Sequence, residues 1–255
     1  HRPLIYQFPW LGQAEWALID VTSTTDRHPA DIQHAIARLL ETGWGVMDAA
    51  DGYLLLAQGR GQAAIPDAFY DFARAGARQP QFPLALTFDG ELRLLGYDLV
   101  DEPKWRRTTL RFYWRASAAR PRETRVALQV VSPAGETVAD AATQPPPALL
   151  WYAPSAWQPG ETVVVTTLPF FLPVAWAPVV TVEAEGRRLT PQVDAGDAAS
   201  ALIVTPAGEA VLPAWERQAG WLAAGGEPRE KYPADARFAA AGWTVRLTHT
   251  ALRQA

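Results

Sequence analysis

Between Leu94 and Glu161, apolar and polar side chains trade places at every second residue, and that rhythm limits the folds open to the chain. Leu110, Phe112 and Trp114 alternate with Arg111, Tyr113 and Arg115, the period of a strand that lays one face on a core. Val126, Leu128 and Val130 repeat the pattern, and Ser132-Pro133-Ala134-Gly135 supplies turn residues before Thr137-Val138 begins the return. Further on, Val163-Val164-Val165, Val179-Val180-Thr181-Val182 and Trp243 to Thr248 read as strands, with tight turns at Asp89-Gly90 and Glu185-Gly186. From residue 84 to 255 the expectation is an antiparallel β-sandwich, interrupted over 214–237 by a loop excursion with a short helix.

The first 80 residues have a different rhythm. Leu4 to Phe8 is a short apolar run closed by Pro9, and Trp16 to Val21 is near-continuous enough to suggest a strand covered on both faces. Pro29 suits the first turn of a helix, with Asp31 near its positive end. Ile32, Ala35, Ile36, Leu39 and Leu40 share one helical face before Gly43 can close it. Gly45-Val46-Met47 and Tyr53 to Leu56 are strand candidates joined by the Asp51-Gly52 turn signal. A second helix is expected from Pro66 to Arg74, with Phe69, Phe72 and Ala73 on one side. The fold class is therefore α+β: a small N-terminal α/β layer over 1–80, a linker at Ala75–Pro83, and the sandwich from 84 onward.

Composition narrows the function classes. A net charge of −4 gives no electrostatic reason to expect a nucleic-acid partner. With no cysteine, thiolate catalysis, disulfides and Cys-ligated metals are excluded. No apolar run approaches the roughly 20 residues that span a bilayer, and no signal peptide is read at the start. The chain begins at His1 and enters strand-like sequence almost at once, so a segment of a longer polypeptide is expected.

Candidate chemistry is sparse. Gly59-Arg60-Gly61-Gln62-Ala63-Ala64 matches the dinucleotide pattern G-x-G-x-x-A formally. Pro66, however, restrains Ile65 to an extended conformation and delays the helix that should bind the phosphates, so a loop is preferred. Asp20, Asp26, Asp48 and Asp51 fall where strand ends form crevices; turn-making and helix-starting roles are preferred over a metal site. Asp20, at the end of an apolar run, is the best single polar candidate. The histidines at 1, 28, 34 and 249 lack partners at useful spacing, and no G-x-S-x-G, H-E-x-x-H or P-loop is present.

Aromatic residues are the remaining signal, with eleven tryptophans in the chain. Trp105, Trp151, Tyr152 and Trp157 fall in loop or crossing segments, and residues 145–160 carry five prolines beside three of them. Such a loop is either a rigid platform for ligand stacking or a lid over one end of the core. The lid is preferred for Trp157, and the platform stays open for Trp151 and Tyr152.

His1-Arg2, Ile5-Tyr6, Phe8-Pro9, Ala17 to Asp20 and Asp51 to Leu56 together resemble a pattern of the domain-of-unknown-function 2079 family. In these predicted bacterial polytopic membrane proteins the pattern follows the last membrane helix, and the membrane part is similar to glycosyltransferases that use lipid-linked sugars. The later LLGYDL, TLRFYWRA and W-x-PGE-x-V blocks are similar to β-sandwich modules appended to such proteins. The resemblance implies a non-catalytic module on the extracytoplasmic face of the membrane. It would position a glycan, a lipid-linked sugar or a protein partner beside the membrane-embedded part of the same polypeptide. No catalytic residue and no cofactor or metal is implied for this chain, since that superfamily's catalytic acids lie in loops between membrane helices. A secreted carbohydrate-binding module and a nucleotide-dependent enzyme are the alternatives.

Overall fold

The computed structural model describes residues 14–22, 28–102, 107–117, 123–132, 136–172, 176–193, 203–204, 208–212, 237–240 and 243–246. Strand β1 (Trp16–Asp20), helix α1 (Pro29–Glu41), β2 (Trp44–Ala50) and β3 (Tyr53–Gln58) form the first layer. Its sheet is antiparallel in the order β1-β3-β2. Pro29 opens α1 as expected, and Gly43, at φ 92°, follows its cap. The N-cap, however, is His28, whose Nδ1 accepts from Ala30 N at 3.3 Å while Nε2 donates to the Thr143 carbonyl at 2.8 Å. One imidazole tautomer thus starts the helix and ties it to a distant loop. Ile32 and Ile36 of α1 pack on Ala17, Ile19, Val46, Leu54 and Leu56.

Two expectations for this layer are corrected. Strand β1 is covered on one face only: Ala17 and Ile19 are buried, while Trp16 is 42% and Leu18 55% exposed. A run of apolar residues cannot by itself distinguish two covered faces from one. The segment Asp67–Ala73 is a 3₁₀ helix rather than an α-helix. Its three-residue repeat aligns Phe69 with Phe72, whose ring centroids lie 5.7 Å apart at 69°.

The next strands are β4 (Phe82–Phe88), β5 (Leu92–Glu102), β6 (Arg107–Ala116), β7 (Thr124–Val131) and β8 (Thr137–Asp140). Helix α2 (Pro147–Trp151), a 3₁₀ turn (Pro154–Ala156) and β9 (Thr162–Thr166) follow. Then come β10 (Ala177–Ala184), β11 (Arg187–Arg188), β12 (Pro191–Val193), β13 (Ile203–Val204) and β14 (Ala210–Val211). β15 (Arg237–Ala240) and β16 (Trp243–Arg246) form a separate hairpin. One antiparallel sheet runs β12-β4-β5-β6-β9; the other runs β13-β14-β10-β7-β8, with β11 added beside β10.

These two sheets share one core. Leu86, Phe88, Leu94, Leu110, Phe112 and Trp114 come from the first, and Leu128, Val130, Val180 and Val182 from the second. The alternation read along β6 holds: Leu110, Phe112 and Trp114 face that core, and Arg111 and Arg115 face away. Tyr113 also faces away yet is buried, because Ala75 and Val164 close over it. The expected linker is thus sewn to the outside of the five-stranded sheet. Ala75 N donates to the Thr162 carbonyl at 2.9 Å, Gln81 N to Asp98 Oδ1 at 2.6 Å, and β4 has begun by Phe82. Leu4–Phe8, Asp26, Trp105 and the 214–236 excursion lie outside the described residues.

Candidate functional site

The β2–β3 hairpin turn, the Ala75–Gln81 segment and the edge of the five-stranded sheet meet around a cavity of about 310 Å³. That is near the lower end of the range for small-molecule clefts. Each wall is set by local folding. Asp51 and Gly52, at φ 48° and 82°, make the turn that hairpins with a two-residue loop favour. This turn places Asp51 and Tyr53 on one side of the cavity. Strand β3 pairs Tyr53 with Asp20 across the sheet. The Asp20 charge, with burial and a hydrogen bond to Asp20, raises the Tyr53 phenol above its ordinary pKa. Asp20 Oδ1 also accepts from Thr22 N at 2.8 Å and Thr22 Oγ1 at 2.7 Å. Asp20 therefore works from behind the wall, orienting Thr22 and Tyr53, which line it.

The opposite wall is basic. Arg111 and Thr166 are direct cross-strand partners on the outer face of the sheet. Buried Asp98 accepts from Arg111 Nη1 at 3.2 Å, from Tyr113 Oη at 2.7 Å and from Gln81 N. Burial and this bond to Asp98 raise the Tyr113 pKa, so its hydroxyl stays a donor. The network holds Arg111 through Nη1, and the residue lines the cavity. Arg78 completes the wall, its backbone fixed by a bond from its N–H to the Ala75 carbonyl at 3.0 Å. Its guanidinium makes no side-chain hydrogen bond or ion pair among the described residues. Phe72, Val164, Ala148 and Leu168 supply apolar surface. The lining offers fixed donors and acceptors on two oppositely charged sides, which is binding chemistry.

The other expected site residues are engaged in packing. Trp157 is 1% exposed, and its Nε1 donates to the Tyr152 carbonyl at 2.7 Å. The lid expectation thus holds at Trp157. At the other two positions the sequence leaves the platform open, and the structure packs both residues. Trp151 sets its ring 5.2 Å from Phe69 at 75°, within the core of the small layer. Tyr152 is buried, and its hydroxyl donates to Glu161 Oε2 at 2.6 Å. Burial and that bond push its pKa up to about 12. Tyr152 thus has no ring face open to a ligand, while Trp151 is half-buried with its ring edge-on to Phe69. Arg74 then links the layers: Nε donates to Glu161 at 3.0 Å, and Nη1 and Nη2 bond Asp67 at 2.8 and 2.7 Å. Its guanidinium lies 5.6 Å from the centre of the Tyr152 ring.

Two further expectations find their places here. Gln62 forms a β-bridge with Val46, with bonds of 2.8 and 3.0 Å, so the glycine segment at 59–64 lies along β2. A Cβ on Gly61, at φ 90°, would sit 2.6 Å from the Val46 carbonyl oxygen, and one on Gly45 2.2 Å from that of Arg60. These glycines serve strand approach, and the dinucleotide reading of the segment loses its physical basis. Among the described residues no group of three His, Asp or Glu side chains could hold a metal ion. Asp48 lies inside β2 at a shift of register, not at a strand end, and its Oδ1 accepts from the N–H of Ala49 at 2.8 Å.

Reading of the sequence missed Arg78, Arg111 and Thr166. The first sits in what reads as linker, Arg111 reads as the solvent face of a strand, and Thr166 follows the Val163–Val165 run without being singled out. Their only signal was Asp98, an acid within a strand opposite an arginine. Among the described residues, no helix is long and apolar enough to cross a membrane. Compared with protein families, curated proteins and solved structures, the chain matches none.

Proposed function

We propose that the chain is a non-catalytic binding module. In this reading it is the extracytoplasmic part of a glycosyltransferase-like membrane protein of the domain-of-unknown-function 2079 type. It holds a glycan, a lipid-linked sugar or a protein partner for the membrane-embedded part of the same polypeptide. The observation that carries the binding reading is the junction cavity, in whose lining Asp20 holds Thr22 and Asp98 holds Arg111. Two of the motif blocks that suggested the family, Ala17–Asp20 and Asp51–Leu56, meet as neighbouring strands, and their ends supply Asp51 and Tyr53 to that cavity. The finer architecture belongs to the same proposal: an α+β chain with a small domain at 1–80 and a β-sandwich domain at 84–255. What supports it is a separate cluster of buried residues in each part, with Tyr70 and Phe72 packed against both.

Two experiments test this. Backbone-amide NMR of the chain titrated with short glycans should show saturable shifts at Tyr53, Arg78 and Thr166, with no product formed from sugar nucleotides. Glycosyl transfer, hydrolysis or saturable nicotinamide-nucleotide binding by the chain would overturn the reading. The location is tested by placing one cysteine in the otherwise cysteine-free sequence, at Phe171, which is 75% exposed. An impermeant maleimide should label the full-length protein on intact bacterial spheroplasts; labelling only after lysis refutes the outward face.

A further inference from the structure

Going one step beyond the binding reading, and resting on it, we infer that the junction cavity takes a small polyhydroxylated anion: a sugar acid or a sugar phosphate. The argument starts from charge. Asp51 lines one side and Arg78 the other, and no ion pair joins them among the described residues. Two opposite charges that line one cavity without meeting each keep their hydration in the empty site, and a ligand must replace that hydration on both.

A neutral sugar would satisfy Asp51, because hydroxyls donate to carboxylates. It would leave Arg78 with only weak acceptors. A simple inorganic anion would satisfy Arg78 and leave Asp51 facing like charge. A hydroxylated anion meets both walls in one molecule. Its carboxylate or phosphate takes the Arg78 guanidinium, whose fork geometry favours planar or multi-oxygen anions, with the positive charge of Arg111 beside it. Its hydroxyls donate to Asp51 and exchange hydrogen bonds with Tyr53 Oη and the Thr166 hydroxyl.

The rigidity of the walls supports the same conclusion. Arg111 is held by Asp98, Thr22 by Asp20, and the Arg78 backbone by Ala75. Little side-chain freedom is therefore lost on binding, apart from that of Arg78 itself. The apolar patch from Phe72 and Val164 suits the C–H face of a pyranose ring. A cavity of about 310 Å³ admits a ligand of one or two rings and excludes a longer chain unless it leaves by the open mouth.

The test is a titration of the intact chain, followed by amide NMR and calorimetry, with glucuronate, glucose 6-phosphate, glucose and glucosamine. Glucuronate or glucose 6-phosphate should bind at least 10-fold more tightly than glucose, and which of them is tighter separates a carboxylate from a phosphate. Shifts should centre on Asp51, Tyr53, Arg78 and Thr166. Arg78→Ala, at an exposed position without a side-chain partner, should keep the wild-type Tm, lose at least 10-fold in affinity for the anion and lose far less for glucose. Arg78→Lys should recover part of the loss. Glucose binding as tightly as the anions, glucosamine binding more tightly, Arg78→Ala without effect, or silence of these amides toward all four ligands overturns the inference. Turnover in the same samples, seen as product signals, overturns the binding-module reading instead, so the two failures are told apart.

Discussion

The core between the two large sheets and the core of the small layer are built from similar strands yet closed differently. Between the large sheets each inward face meets another inward face, and Trp114, Trp157 and Trp176 are all at most 2% exposed. The three-stranded sheet has α1 and the 3₁₀ helix over one face only. Its other face presents Trp16, Leu18 and Tyr53, each more than 40% exposed. A two-sheet core is self-complementary; a three-stranded sheet with one helix is not, and it gains closure by docking on its neighbour. Phe69, Trp151, Tyr70 and Tyr152 form that dock, with ring centroids 5.2 to 5.4 Å apart. The cavity lies at the edge of this dock because two rounded layers cannot fill the space between them.

The largest effect should come from the lid of the large core. Trp157→Ala removes a buried indole and leaves the Tyr152 carbonyl without its donor, and should cost roughly 3–5 kcal/mol. Chemical denaturation reads this as a lower midpoint at unchanged slope. A loss under about 1 kcal/mol would show that the 145–160 segment is not part of the large core.

Next is the clasp. Arg74→Ala strips Glu161 of its cation but leaves it the Tyr152 hydroxyl and the Gln158 N–H, at 2.6 and 3.0 Å. The expected loss is about 2 kcal/mol, the scale of hydrogen bonds to charged groups. If the clasp joins the layers, hydrogen exchange should accelerate in α1 and β3 more than in β5 and β6. Uniform acceleration would mean that both cores unfold as one unit and would erase the contrast drawn above.

How far this contrast could be read beforehand depends on range. Alternation is local, so β5 through β8, the Asp51-Gly52 and Asp89-Gly90 turns and the start of α1 at Pro29 were legible. Covering is not local. Nothing in Trp16 to Val21 says that only one face will be met, and nothing in Tyr113 says that Ala75 will close over it. At the candidate site, Asp20 was legible because a polar residue ending an apolar run marks a strand end. Arg78 and Arg111 were not, since an arginine in a linker and one on an outer strand face are both ordinary. For Trp151 and Tyr152 the sequence leaves platform and packing both open, because proline-rich loops look exposed. In the fold Tyr152 is buried and Trp151 half-buried, each ring set against an aromatic of the 3₁₀ helix.

A smaller effect is expected at the glycine segment. Gly61→Ala forces a Cβ toward the Val46 carbonyl at a φ that alanine avoids, and should cost on the order of 1–2 kcal/mol. Thermal melting checks it. Retention of full stability would mean that the Val46–Gln62 bridge is not needed to hold the outer edge of the small sheet.

The smallest effect belongs to the open face. Leu18 is 55% exposed and pairs with the half-buried Leu55, so burial contributes little at this position. Leu18→Thr introduces a β-branched residue that suits a strand, and should change stability by no more than about 0.5 kcal/mol, the usual range for surface positions. The comparison with Ile19, one residue along and 2% exposed, makes this a measurement of the face rather than of the strand. Ile19→Thr buries an unpartnered hydroxyl and should cost several times more. Comparable losses at the two positions would show that β1 is covered on both sides in solution, as its unbroken apolar run first suggested, and the contrast between the two cores would fall with it.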